Sequence, residues 1–271
     1  MLRKVIMMIR RRFGLAERRA CRVIGAARST ARYEARPGDD SAVIEKMKEI
    51  IKEHPCYGCR MIFLKLRQVM GINHKRVERI YRENCLQLKN RRTRKKYRVR
   101  KEEEHILSRR PGEWVAIDFV NDSVGGRRRM KLLTAVDPVT REVPVIAPAY
   151  SMTGKGVADQ LDKVVAGYGH FTYLQTDNGP EFRSSDLEDW CRKNSVKHIF
   201  SRPGKPTDNC FIESFNRVLR SECLNMYYFP GMSDARALIE EWRVDYNTRR
   251  PQKGLGGLTP LQYKDKLIAE T

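Results

Sequence analysis

An α/β domain with a mixed sheet, preceded by all-α helix-turn-helix modules, is the fold class this sequence predicts. Three observations predict it. Before residue 89 the apolar residues recur at helical spacing among many Lys and Arg. From Pro111 onward three short apolar runs come first, and helical and strand patterns then alternate. Between these parts, 89–104 is a charged run with almost no apolar residues, which marks a domain boundary.

Residues 1–36 read as a small helical segment, with Phe13, Leu15, Ala20, Val23 and Ile24 at helix-like spacing. Gly25 ends a helix there, and Ser29-Thr30 caps the next. The segment from Arg36-Pro37-Gly38 to Asp40 then breaks the chain. Residues 40–88 read as three helices. The first runs from about Ser41 to Glu53, with Val43, Ile44, Met47, Ile50 and Ile51 on one face, and His54-Pro55 stops it. The second starts near Tyr57-Gly58 and carries Ile62, Leu64, Leu66 and Val69. A tight turn at 70–73 ends in Asn73, an N-cap, and the third helix runs from about His74 to Asn84. Helix, short Gly-bearing turn, helix is the layout of a helix-turn-helix. Its last helix exposes His74, Lys75, Arg76, Arg79 and Arg82, donors of the kind that contact phosphates and guanine edges. The bland alternative is a solvated basic helix in a bundle. In the linker 89–107 the residues Arg91, Arg92, Arg94, Lys95 and Lys96 are placed to track a DNA backbone.

The part from 108 to 268 is the candidate catalytic core. Strands are expected at 114–120, 130–136, 143–147, 172–175 and 196–200. Helices are expected at 157–168, 185–194, 209–224 and 234–247, with a Pro/Gly loop at 202–208.

Charge narrows the partner. The chain of 271 residues carries a formal net charge of +21. Residues 1–110 hold 32 Lys and Arg against 12 Asp and Glu; the rest hold 22 against 21. Such an excess points to a polyanion, most often nucleic acid, and puts the grip on phosphates in the first part. Seven cysteines at irregular spacing predict reduced thiols and a cytoplasmic setting. No run approaches a membrane span, so no membrane partner is expected.

The balanced part places its acids where phosphoryl transfer would use them. That chemistry needs hard oxygen ligands converging on two cations. Asp118 lies inside an apolar strand, where an unpaired carboxylate is costly. Asp177 follows a short strand at its carboxyl end, where open α/β sheets bind ligands. Glu213 sits in the first turns of a helix, with 35 residues between it and Asp177. Competing acids read otherwise: Asp137 as a turn residue, Asp122 as a solvated loop residue, Glu181 as a neighbour one turn from Asp177. Cys56 and Cys59 with His54 and His74 invite a zinc reading, but a single Cys pair favours ordinary thiols. His198 and the three Trp residues read as structural.

Strand-borne Asp118, the segment from Thr176-Asp177-Asn178-Gly179 to Phe182, and the segment from Asn209 through Glu213 to Asn216 resemble the D,D(35)E signature of the retroviral integrase superfamily. More closely the chain resembles the second-frame (OrfB) products of insertion-sequence transposases. The Tyr246-Asn247-Thr248-Arg249-Arg250-Pro251 and Leu258-Thr259-Pro260 endings and the stretch 54–86 fit as well. Gln252 stands where that family often has His, and Cys59 where it often has an aromatic. The resemblance implies a ribonuclease H-like core whose two Mg²⁺ (or Mn²⁺) ions are held by Asp118, Asp177 and Glu213. Arg220, two turns beyond Glu213, and Asn209, one turn before it, are implied as DNA contacts on the same face. It further implies cleavage at element terminal repeats, strand transfer into target DNA, and a homo-oligomer on DNA. Fusion to an upstream first-frame product is expected to supply assembly helices, because no sustained heptads are present here. The competing functions are a nuclease that never joins strands and a DNA-binding regulator.

Overall fold

The computed structural model describes residues 2–32, 39–88, 110–202 and 209–270. The linker basic residues Arg91, Arg92, Arg94, Lys95 and Lys96, the break at 33–38 and most of the 202–208 loop lie outside them. The chain divides into two compact units, Met1–Glu45 and Lys46–Thr271.

In the first unit, α1 (Leu2–Phe13), α2 (Glu17–Val23) and α3 (Arg28–Arg32) surround Ile6, Ala20, Cys21 and Ala31. Glu17 receives a forked pair of hydrogen bonds from Arg32. Two expectations fail here. Phe13 and Val23 are exposed, because the small residues Ala20 and Cys21 make the buried face instead. Ser29 and Thr30 lie inside α3 rather than capping it. Helix α4 (Ser41–Glu53) carries the chain into the second unit.

There, α5 (Cys59–Val69) and α6 (His74–Glu83) follow. Asn73 caps α6 as expected, its side chain accepting from Lys75 N at 3.0 Å. Ile62, Phe63, Leu64 and Leu66 are buried on α5, and Val77, Ile80 and Tyr81 on α6. Val69 is exposed, since α5 ends there and the chain turns away.

The five-stranded sheet has the order β3-β2-β1-β4-β5. Strands β1 (Trp114–Val124), β2 (Arg128–Val136) and β3 (Ile146–Ala149) form an antiparallel meander. Strands β4 (Tyr173–Thr176) and β5 (Lys197–Phe200) run parallel to β1. The sheet is therefore mixed, as predicted. Alternation along β1 divides the core. Val115 and Ile117 face α7 (Gly154–Tyr168) and α8 (Ser185–Lys193), with Leu161, Val164, Leu187 and Trp190. Ala116, Val120 and Val124 face α9 (Cys210–Leu219) and α10 (Met232–Thr248), with Ile212, Phe215 and Ile239. Asp118 shares the second face, because its register partner is Thr134.

Beyond small shifts at element ends, three differences from expectation stand out. β1 continues through Asn121, Asp122 and Ser123, so Asp122 is a strand residue rather than a loop residue; long-range pairing with β2 overrides its weak strand propensity. β3 begins at Ile146, past Pro144, which has no N–H to give a ladder. The sequence reading omits α11 (Pro260–Ala269), which starts from a full capping box between Thr259 and Gln262.

Asp137 is structural, as read. Fully buried, its carboxylate accepts from the backbone N–H of Gly112, Val139 and Thr140 and from the hydroxyls of Thr140 and Tyr168. Gly154 opens α7 where no side chain fits: a Cβ there would stand 1.7 Å from Ser184 Oγ. That hydroxyl cannot swing aside freely, because it caps α8 and donates to Glu181 O. Gly154→Ala should therefore lower stability by about 2 kcal/mol through overpacking. Urea unfolding would measure it, and a loss below about 0.5 kcal/mol would show that the Ser184 cap yields easily.

Candidate active site

The parallel pairing of β1 with β4 brings two of the three carboxylates together. Trp114, Val115 and Ala116 lie opposite Tyr173, Leu174 and Gln175. Carrying that offset two residues further sets Asp118, in the middle of β1, level with Asp177, just past the carboxyl end of β4. The exposed Asp177 is held by a hydrogen bond from Gly179 N to its Oδ1 at 2.9 Å. Asn178 ties the same turn to the end of β5, donating to Ser201 O at 2.9 Å. His198 supports β4 from below through Thr176 Oγ1 at 2.9 Å, a structural position.

Helix α9 packs on β1 and supplies the third. Asn216 donates from Nδ2 to Asp118 Oδ2 at 2.8 Å. Glu213 lies one turn earlier on the same helix, exposed and within its first turn. Thr134, opposite Asp118 on β2, donates to Asp118 O at 3.1 Å and to Asn216 Oδ1 at 2.9 Å. Asp118 Oδ1 accepts from Phe119 N at 2.7 Å. Burial, first, and then the negative charges of Asp177 and Glu213 push the Asp118 carboxyl up to about 6, against the pull of the Phe119 N–H and the Asn216 amide. Asp118 thus feels both of the other carboxylates, although among the described residues no group of three His, Cys, Asp or Glu side chains is drawn into a ready metal cluster. Asn216 and Thr134 carry no role in the sequence reading. The available signal for Asn216 is its spacing of three residues after Glu213, which puts both on one helix face.

The remaining candidates are spread more widely. Arg220 does not stand free: its guanidinium donates to Asn121 O at 2.5 Å and approaches Asp122 Oδ2 at 3.7 Å, along β1 from Asp118. A π-helical turn, Arg220–Leu224, begins at this residue. Asn209 is the N-cap of α9 but makes no side-chain cap, and its buried Oδ1 has no partner among the described residues. Glu181 pairs with Lys131, which also lies over the Phe119 ring at 4.0 Å. Its carboxyl is held below its usual range, chiefly by the Lys131 hydrogen bond.

On α6, His74, Lys75, Arg76, Arg79 and Arg82 are all exposed; Lys75, Arg79 and Arg82 lie on the face opposite Val77 and Ile80, while His74 stands edge-on to the ring of Phe63. Arg79 and Arg82 pair with Glu83 and Glu78 on their own helix, and exposed pairs of this kind exchange readily. Cys56 Sγ donates to Ser221 O at 3.1 Å, and His54 stacks on Tyr57 at 4.4 Å. Arg250, buried, grips Glu222 with two hydrogen bonds of 2.7 and 2.6 Å beside the rings of Tyr57 and Tyr246. Among the described residues no helix is long and apolar enough to cross a membrane.

Comparison with known proteins agrees with this layout. Residues 38–95 match an HTH-like domain, and residues 108–206 and 194–260 match models of an integrase core domain. The chain is 38% identical over 260 residues to a 31.7 kDa protein of insertion element IS407 from Burkholderia multivorans, covering 95% of this chain and 94% of that one. It is 36% identical to a 39.2 kDa protein of insertion element IS476 from Xanthomonas euvesicatoria, covering 92% and 72%. In fold it is similar to a chain of the simian T-cell lymphotropic virus intasome in complex with PP2A regulatory subunit B56 gamma, with a TM-score of 0.53 at 16% identity over 80% of this chain and 74% of that one. The protein belongs to the insertion-sequence transposases, with a helix-turn-helix-like region and an integrase core.

Proposed function

We propose that this chain cuts DNA at insertion-element ends and joins the freed ends to target DNA, with Asp118, Asp177 and Glu213 holding two Mg²⁺ or Mn²⁺ ions. The supporting observation is that the register of adjacent strands sets Asp118 on β1 level with Asp177 at the end of β4, with α9, the helix of Glu213, bonded to Asp118 through Asn216. The donor set fits such ions: all three are carboxylates, hard oxygen ligands, and among the described residues the partly buried Asp118 lies against two like charges with no cation beside it. When bound, such ions polarise the phosphoryl group and stabilise the charge on the entering and leaving oxygens.

The protein's own work is positioning. Asn216, Phe119 N–H and Thr134 fix the carboxylate and backbone of Asp118. Gly179 N–H and the Asn178 tether fix the turn that carries Asp177. In cleavage the oxygen of water displaces the 3′ oxygen from phosphorus, leaving a 3′-hydroxyl and a 5′-phosphate. In joining, that 3′-hydroxyl displaces a 3′ oxygen of the target strand in line. Neither step needs a covalent bond to the protein. The exposed donors of α6, together with the linker arginines and lysines, are suited to hold the flanking duplex. Arg220 is suited to a phosphate close to the carboxylates, and Asn209 stays the weaker candidate because its side chain is turned inward. Two ends joined together require at least two chains on DNA, as a homo-oligomer or with an upstream first-frame product.

Purified protein incubated with labelled element ends and Mg²⁺ should give joined products. Nicked products alone would leave a hydrolytic nuclease, and binding without either product would leave a regulator.

A further inference from the structure

Resting on the reading that the core acts on DNA, we propose that the tip of the β1–β2 hairpin, Arg127, Arg128 and Arg129 with Tyr228 beside it, is a second DNA-contact site on the core. It takes a DNA strand about 20 Å from the carboxylates, with phosphates on the arginines and a base on the tyrosine ring.

The core from 111 onward is nearly neutral, yet its charge is not evenly spread. Arg127, Arg128 and Arg129 are consecutive and exposed at one tip. Arg127 and Arg129 have no carboxylate partner among the described residues. A tip of one sign repels itself unless an anion neutralises it. Arg128 is already laid flat on the ring of Tyr150 at 3.5 Å, leaving its guanidinium edge free to donate.

The tip is also held firmly. Gly125 and Gly126 both have positive φ, 60° and 71°, which lets the chain reverse without a side chain. Gly125 N donates to Phe229 O at 2.8 Å, and Phe229 is buried in the core. That bond sets the 226–231 segment against the hairpin. Tyr228, 69% exposed, lies with its ring edge beside Gly126. A large aromatic left open on a rigid support, next to three arginines, is the combination that stacks a base while the backbone is gripped.

Position completes the case. β1 runs from Asp118 past Asn121 and Asp122, where Arg220 is bound, to Gly125. Six steps of extended strand between Asp118 and Val124, just before the turn, span about 20 Å, close to six base steps of duplex. A strand leaving the carboxylates along Arg220 therefore arrives at the tip.

The test uses the full chain bound to a DNA duplex of the element's own terminus, with chelator present so that nothing is cut. Single thymines are replaced by iododeoxyuridine at successive positions, the complex is irradiated, and crosslinked peptides are identified by mass spectrometry. A crosslink at Tyr228 is expected when the base stands about six to ten nucleotides from the scissile phosphate. Crosslinks confined to other segments of the bound protein would overturn the proposal. In parallel, Arg127→Gln combined with Arg129→Gln should flatten the salt dependence of DNA affinity, lowering the slope of log affinity against log salt by about 2, with an unchanged melting temperature. A wild-type slope would likewise overturn it. Both measurements read binding alone. Loss of strand transfer with the crosslink intact would sink the catalytic reading and leave the hairpin site standing, and the reverse result would do the opposite.

Discussion

Asp118→Asn, Asp177→Asn and Glu213→Gln should each lower both strand cleavage and strand transfer by at least about a thousandfold while DNA affinity stays within a few fold. Each substitution keeps the side chain's size and removes one ligand charge. The expected loss is about 4 kcal/mol of transition-state stabilisation, the scale on which divalent ions act in phosphoryl transfer. Affinity should survive because the basic surplus lies in residues 1–110, far along the chain from the carboxylates. Gel assays on labelled element ends measure both quantities. Strand transfer within tenfold of wild type in any one variant would remove that residue from the mechanism.

The positions of Asp118 and Asp177 on the fold were legible in the sequence for local reasons. Asp177 and Gly179 form a turn at a strand end, and the turn chemistry is written in adjacent residues. Asn73 is legible in the same way, as a cap one residue before its helix. Asp118 stands out because a charged residue interrupts an apolar run. What the sequence hides is pairing across distance. Thr134 and Asn216 reach Asp118 from 16 and 98 residues away; the helical spacing of Asn216 from Glu213 hints at a shared face but not at Asp118, and nothing local marks Thr134. The same holds for Asp122: its neighbours Asn121 and Ser123 look like a loop, and only the ladder with β2 keeps them in a strand. The salt link from Arg220 to Asp122 follows from that unforeseen extension. At the other end, the Thr259–Gln262 box is a local signal of α11 that was there to be read.

The Asp118 substitution should also stabilise the fold, and this separates a functional carboxylate from a structural one. The Asp118 carboxyl titrates at about 6 in the folded chain, against an ordinary value of 3.8, because it is largely buried and faces Asp177 and Glu213. Between those values the folded state holds a proton that the unfolded state has already lost. Stability therefore falls as pH rises through this window, and the loss is complete above about 6. A gap of about two pH units corresponds to about 3 kcal/mol. Asn at 118 is neutral throughout and carries no such penalty. Its amide also finds partners: Asn216, turned about its terminal bond, presents Oδ1 to the new NH₂ and its own NH₂ to Thr134 Oγ1, while Phe119 N–H keeps its acceptor. With chelator present at pH 7.5, Asp118→Asn should therefore resist urea more than wild type, by up to about 3 kcal/mol, and the advantage should vanish near pH 4. Adding Mg²⁺ should then stabilise wild type and leave the variant nearly unchanged, since only wild type holds the full ligand set. A variant no more stable than wild type at pH 7.5, or one whose advantage persists unchanged at pH 4, would show that Asp118 is not held ionised at the folded state's expense.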